Sequence, residues 1–377
     1  MTRIWPAPKT KVVLNQPRLH AFVIAVSDYP HLMGGAKADA LDSFGLSQVT
    51  TPRFTGPAIA DWLLNKLNNT GRPLGSLEVL LSPSGPIATD RGLVMAAPAT
   101  MANIRKAFNS WKKRCNSHPD NTALFYFCGH GMAKTSQYLL AQDFGDPNEG
   151  DIGENCVDFD AFRVGMRSCK ARTQLFFVDA CRETPFNILS LLNLSGRPLA
   201  TATASDPPVP SSSAYFATTE GRPAYGPDNG PTYFCQALLS CLNGVATLKK
   251  NGKFVVDTFS LSGALGQAMA MMGQRNGLDL TANPSPGGLA TIHEAPAHRV
   301  IFSIQCRTKE ANQAADIRVF NGATEFHSPP GNAKPIIEEV DAGTWSVEIS
   351  FPGGEFAKPP IEHHDLAPPV FEGVPLP

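Results

Sequence analysis

The sequence predicts an α/β chain, a mostly parallel sheet flanked by helices, followed by a small all-β domain of sandwich type. Three observations predict it. Short apolar runs at residues 19–26, 77–81, 123–127 and 175–178 read as strands buried on both faces. Segments with apolar residues at helical spacing lie between them, and strand, helix, strand in that order marks a parallel sheet with crossover helices. From His298 onward the texture changes to runs of period two, with Gly and Pro between them.

Taken in order, residues 1–18 hold three prolines and no period, and read as an extended lead-in. The core is expected over 19–283. Pro57 opens a helix in which Ile59, Trp62, Leu63 and Leu67 recur at helical spacing. Thr100 caps a second helix carrying Ile104, Ala107, Phe108 and Trp111 on one face. Tyr138–Ala141 is a short strand, and Asp158–Cys169 a helix bearing Phe159, Phe162 and Met166. Residues 196–213, rich in Pro, Ser, Thr and Ala, read as a flexible loop, within a longer loop expected over about 187–213. A linker is expected over 284–297, a β-rich domain over 298–358 in which Val300, Phe302 and Ile304 alternate with Ile301 and Ser303, and a Pro-rich tail over 359–377.

Two short features stand directly after apolar strands: Cys128-Gly129-His130-Gly131 and Asp179-Ala180-Cys181-Arg182, with His130 and Cys181 51 positions apart. In an open α/β sheet ligands bind at the carboxyl ends of strands, so neighbouring strands would bring an imidazole beside a thiol. A Gln-Ala-Cys-Arg-Gly signature with its His about 50 residues upstream belongs to caspases. The chain resembles the caspase superfamily, and Asp179 in place of Gln brings it nearer to bacterial caspase-like peptidases, metacaspases and paracaspases. Glu183 stands where the family has Gly. Phe22–Tyr29 resembles the family's first strand and loop, the segment from Leu32 through Gly35 to Ala40 the opening of its first helix, and Tyr215–Thr218 with Gly230–Phe234 its small-subunit strand and helix. The likeness runs over roughly residues 19–275.

The resemblance implies a caspase-like fold and a cysteine endopeptidase in a bacterial stress, defence or cell-death response, acting through a thioester acyl-enzyme. A free thiol titrates near 8.5, so Cys181 needs His130 as base and acid. Gly131 and Cys181 would supply the backbone N–H groups that hold the oxyanion. Asp179 and Asp28 would form an acidic pocket for a substrate Arg, or second to it Lys, with Cys128 as pocket wall. The plain alternative for Asp179 is a salt bridge with Arg182 or another internal base. Arg222 and Tyr225 would line the cleft, and Arg197 and Asp206 are candidate activation cut sites by analogy. Two other readings stand beside this one: a silent caspase-like scaffold that binds a partner, and a peptidase cutting after Asp.

A net charge of −1 gives no electrostatic case for nucleic acid or anionic membrane as partner. The expected partners are a protein or peptide substrate, with an activating protease or regulatory protein left open. Eight cysteines without paired spacing argue against a zinc site or a disulfide framework, and reduced thiols with no signal-peptide pattern make the cytoplasm the expected location. The chemistry requires no cofactor or metal. The sequence leaves calcium dependence open.

Overall fold

The computed structural model describes residues 2–5, 16–38, 44–148, 152–183 and 196–373. Most of the expected lead-in, residues 39–40 of the segment expected to open the first helix, residues 187–195 of the expected loop and the last four residues of the tail lie outside the described residues. By internal contacts the chain divides into two units, Met1–Gln236 with Thr281–Ala290, and Ala237–Leu280 with Thr291–Pro377.

The first unit is built on one sheet. Its strands are β1 (Arg3–Trp5), β2 (Leu19–Val26), β3 (Leu74–Ser82), β4 (Thr122–Cys128), β5 (Thr173–Asp179), β6 (Ser211–Phe216) and β7 (Asn283–Ser285), in the spatial order β1-β3-β2-β4-β5-β6-β7, with Ala97–Pro98 added on β3. The five middle strands run parallel, and β1 and β7 lie antiparallel at the two ends. The sheet is therefore the mostly parallel one expected from the apolar runs.

Alternation along the strands assigns the two faces. Phe22 and Ile24, Phe125 and Phe127, and Phe176 and Val178 share a core with Ile104, Phe108 and Trp111 of α2 (Met101–Cys115) and with Phe159 and Phe162 of α3 (Phe159–Gly165). Phe125 is its hub, with the rings of Phe22, Phe159, Phe162 and Phe176 centred 5.1 to 6.5 Å away. The other face takes α1 (Pro52–Asn65), where a Cβ on Gly56 would come within 2.7 Å of Ala25 Cβ and Leu81 Cδ2. Only glycine lets that helix approach so closely. Thr100 caps α2 as expected, its hydroxyl accepting from the Asn103 N–H, and Lys112, Lys113 and Arg114 complement the helix dipole in the last turn.

Several boundaries differ from the sequence reading. Helix α1 begins at Pro52, not Pro57, because Pro52 already supplies the first helical position; Pro57 lies within the helix, half-buried. Residues 33–38 form turns and a bridge rather than a helix start. The expected loop 187–213 ends early, since Ser211–Ser213 pair with Thr173–Leu175 as the start of β6. The expected linker 284–297 contains β7 and the strand Thr291–Ala295, which pairs with Lys253–Asp257. The expected tail contributes the strands Glu362–Leu366 and Val370–Gly373.

The second unit carries a helix, Thr258–Asn276, capped by Asp257 in a capping box with Ser260. Its β-part has two sheets. Ile336–Asp341, Arg299–Ile304 and Val370–Gly373 form one; Thr324–Ser328, Asp316–Asn321, Gly343–Ser350 and Glu362–Leu366 form the other. Val300, Phe302 and Ile304 point inward, as the period-two pattern requires, and meet Val319, Trp345, Val347 and Ile349 in one core. Val370–Gly373 runs parallel to Arg299–Ile304, so the domain is not wholly antiparallel.

Candidate active site

Strands β4 and β5 end together. Their register pairs Cys128 with Asp179, and the Gly129 N–H continues the pairing by donating to the Asp179 carbonyl at 3.3 Å. His130 and Cys181 each stand two residues beyond that last pair. A Cβ on Gly131 would lie 2.7 Å from both Ala180 Cβ and the Cys181 carbonyl oxygen. The turns that carry imidazole and thiol are thus in direct backbone contact, and a side chain at 131 would part them.

His130 is held from two sides. Its N–H donates to the Tyr29 hydroxyl at 2.8 Å, and its ring lies 4.9 Å from the Tyr29 ring. Its Nε2 stands 2.6 Å from the Ser47 carbonyl oxygen. A carbonyl only accepts, so the proton sits on Nε2 and the neutral ring keeps its Nδ1 lone pair free. Burial lowers the imidazole below its ordinary value, opposed by the bond to Ser47.

The Cys181 thiol is half-buried and accepts the Ala224 N–H at 3.3 Å. Burial raises it above the ordinary thiol value, and the Ala224 bond opposes that rise. Thiol and imidazole are therefore both neutral near pH 7. The loop bearing Ala224 is fastened beside the thiol, with Arg182 N–H donating to the Arg222 carbonyl at 3.1 Å and Gly221 N–H to the Arg182 carbonyl at 2.9 Å. The Arg182 guanidinium stacks 4.4 Å from the Phe216 ring centre and donates to Gln137 Oε1. Buried Gln137 donates in turn to the Cys181 carbonyl at 3.0 Å.

Asp179 faces the α1 side and is 2% exposed. Its Oδ2 accepts from the Tyr126 hydroxyl at 2.7 Å and from the Thr232 hydroxyl, while Oδ1 has no partner among the described residues. Burial pushes its carboxyl up to about 6, with Thr232, Tyr126 and the Cys128 thiol pulling the other way. The alternative of a salt bridge with Arg182 does not hold, because that guanidinium turns to Phe216, Gln137 and Glu220. Cys128 lies beside Asp179, fully buried, its thiol pushed well up by burial. Asp28 is half-buried, tied through its backbone to Ser82, and no hydrogen bond joins its carboxylate to Asp179.

The remaining candidates fall in different settings. Arg222 is exposed in the loop fastened to Arg182, and Tyr225, 46% exposed, accepts the Tyr233 N–H with its carbonyl. Arg197 is not in an open loop: it bridges to Val157, and its guanidinium pairs with Glu154. Asp206 closes a turn by accepting the Thr203 N–H at 2.6 Å. The sequence reading missed Ser47 and Ala224, which act through backbone atoms that no side-chain pattern betrays. It also missed Tyr126 and Thr232, which look like ordinary core and helix-start residues. Among the described residues no group of three or more His, Cys, Asp or Glu is placed to hold a metal ion, and no helix is long and apolar enough to cross a membrane.

The family described as the caspase domain matches residues 86–265, a stretch that holds His130, Gly131, Asp179 and Cys181. This stretch is similar to the caspase family. An uncharacterized protein of Sinorhizobium fredii is 35% identical over 210 residues, covering 50% of this chain and 58% of that protein. A probable protease of a Desulfuromonadales bacterium is 26% identical over 197 residues, covering 50% of this chain and 23% of that protein. The chain thus spans less than two thirds of either curated relative. The solved caspase-1 of Spodoptera frugiperda aligns at a TM-score of 0.41 with 14% identity, over 78% of this chain and 98% of that one. The matched stretch begins after β2, so Asp28, Tyr29 and Ser47 lie outside it.

Proposed function

We propose that the chain is a cysteine endopeptidase that cleaves after a basic residue, arginine in preference to lysine, with Cys181 as nucleophile and His130 as its acid and base. The observation that carries the reading is the Nε2 bond from His130 to the Ser47 carbonyl, which leaves Nδ1 unprotonated at the end of the strand beside that of Cys181. As the sulfur attacks the scissile carbonyl carbon, the thiol proton passes to Nδ1 and the carbonyl π electrons move to oxygen. Backbone N–H groups of Gly131 and Cys181 are the family's donors to that oxyanion; losing one such donor typically costs about 3 to 4 kcal/mol in the barrier. Collapse expels the amine, which takes its proton from His130, and leaves a thioester that water hydrolyses.

Asp179 supports the basic preference. A carboxylate buried with one oxygen unpaired is costly, and a guanidinium of the substrate would relieve it. A pocket for a substrate aspartate would need a cation where Asp179 stands. The Ala224 amide on the thiol and the fastened loop of residues 219–224 support a cleft wall beside the sulfur, along which an extended substrate backbone would run. A role in a bacterial stress or defence response is carried by the resemblance alone.

Purified protein is to be incubated with fluorogenic peptides ending in Arg, Lys or Asp, beside Cys181→Ala and His130→Ala variants. Turnover in the order Arg, Lys, Asp that vanishes in both variants is expected. Turnover surviving in Cys181→Ala would defeat the nucleophile, and preference for Asp would defeat the pocket.

A further inference from the structure

A carbonyl that orients a catalytic imidazole is only as well placed as the loop that carries it. Ser47 lies in a segment with no helix and only a single bridge to Met33, next in sequence to Gln48. The Gln48 side chain reaches back to residues 29–33. Its Oε1 accepts the Tyr29 N–H at 2.7 Å, and its Nε2 donates to the carbonyls of Tyr29 at 2.9 Å and Met33 at 3.1 Å, with Leu32 at 3.4 Å. Reversing the amide would set two donors against each other and its oxygen against carbonyls, so the network admits one orientation.

Tyr29 closes the circuit. Its fully buried hydroxyl, which accepts the His130 N–H, also donates to the Leu140 carbonyl at 3.4 Å. The imidazole is therefore gripped at both ends by groups that lead back to one residue: its backbone by the Tyr29 hydroxyl, its Nε2 by the carbonyl preceding Gln48, whose amide clasps the Tyr29 peptide. Val49 N–H, bonded to the Ser27 carbonyl at 3.1 Å, holds the far side of the same segment.

Resting on the peptidase reading, we infer that Gln48 is a positioning residue: its side-chain amide fixes the Ser47 carbonyl that keeps His130 in the tautomer able to take the Cys181 proton. Gln48 touches no reacting atom. Without its amide, the segment loses the clasp on Tyr29, the Nε2 bond loosens and the ring samples the other tautomer, in which Nδ1 carries a proton and cannot act as base. Substrate contacts are untouched, so the loss falls on turnover and not on binding.

The test is Gln48→Met, which keeps length and apolar volume but has no amide, read by steady-state kinetics and by ¹⁵N shifts of the His130 ring in the full chain labelled at histidine. Wild type should show the Nε2–H tautomer at pH 7.5. The variant should show a mixture, with kcat reduced by up to about 10²-fold, the scale of a small misplacement, and KM little changed. A variant with a single Nε2–H tautomer and unchanged kcat overturns the inference, as does a wild-type ring protonated on Nδ1. Should Gln48→Met not fold, Gln48→Glu, which keeps the acceptor for Tyr29 and removes both donors, carries the same two readouts. If the wild type cleaves no peptide, the peptidase reading fails while the ring tautomer still decides the role of Gln48.

Discussion

Replacing Asp179 by Asn should make the protein more stable and, at the same time, a poorer enzyme. The carboxyl is buried, its Oδ1 has no hydrogen-bond partner among the described residues, and burial pushes it up to about 6 from an ordinary 3.8. An acid whose folded value is raised holds its proton more tightly in the folded state, so ionising it opposes folding. The penalty is absent below about pH 4, grows as the pH rises to about 6, and is then complete, on the order of 3 kcal/mol. The replacing amide has the same shape and no charge, and the Tyr126 and Thr232 hydroxyls can each turn to donate or accept. Denaturant melts of both proteins should coincide near pH 3.5 and separate by up to about 3 kcal/mol at pH 7.5, with Asp179→Asn the more stable. Peptides ending in Arg should lose at least about 30-fold in kcat/KM, because a buried guanidinium would lack its counter-charge, at a cost of about 2 to 5 kcal/mol. Equal stability at pH 7.5 would mean that the charge is already compensated. An unchanged preference for Arg would remove Asp179 from the pocket.

Gly131→Ala should lower activity and destabilise by about 1 to 3 kcal/mol, since the new methyl meets Ala180 and the Cys181 carbonyl at 2.7 Å; wild-type melting and kinetics would contradict the contact. Alkylation of Cys181 by iodoacetamide should rise steadily from pH 6 to pH 9, because burial raises the thiol and lowers His130, leaving a neutral pair; a fast plateau persisting below pH 6 would indicate a preformed ion pair. Phe125→Ala should cost about 3 to 5 kcal/mol in denaturant unfolding, as the hub of four neighbouring rings; a loss under about 1 kcal/mol would mean that the core closes over the gap.

The strands that carry the candidate site were legible because burial on both faces demands unbroken apolar runs, and His130 and Cys181 stood out as candidates because each lies in a short motif that directly follows such a run. β6 was not. Its first three residues are serines, tolerated in the sheet because Ser213 accepts the Gly287 N–H and Ser211 donates to the Gly288 carbonyl, so polarity there signals satisfied hydroxyls and not a loop. The strand Glu362–Leu366 escaped for a related reason: it pairs on one side only, with Gly343–Ser350, and only Leu366 of its five residues is buried. Asp179 stood out as a candidate pocket acid from its place two residues before Cys181, but its clasp by Tyr126 and Thr232 comes from residues far off in the chain. The groups that set the chemistry of His130 and Cys181, the Ser47 carbonyl and the Ala224 N–H, belong to the backbone, which every residue possesses. No residue type could have marked them.

The most direct test of the central claim is to label the nucleophile covalently with a substrate-like alkylating agent that loses a carboxylate as its thioether forms. A peptide ending in an arginyl acyloxymethyl ketone, incubated with the full chain and followed by mass spectrometry of the digested protein, should place one adduct on Cys181, with none in His130→Ala within the same time. Labelling of Cys128 or another of the eight thiols, or equal labelling of all of them, would contradict it.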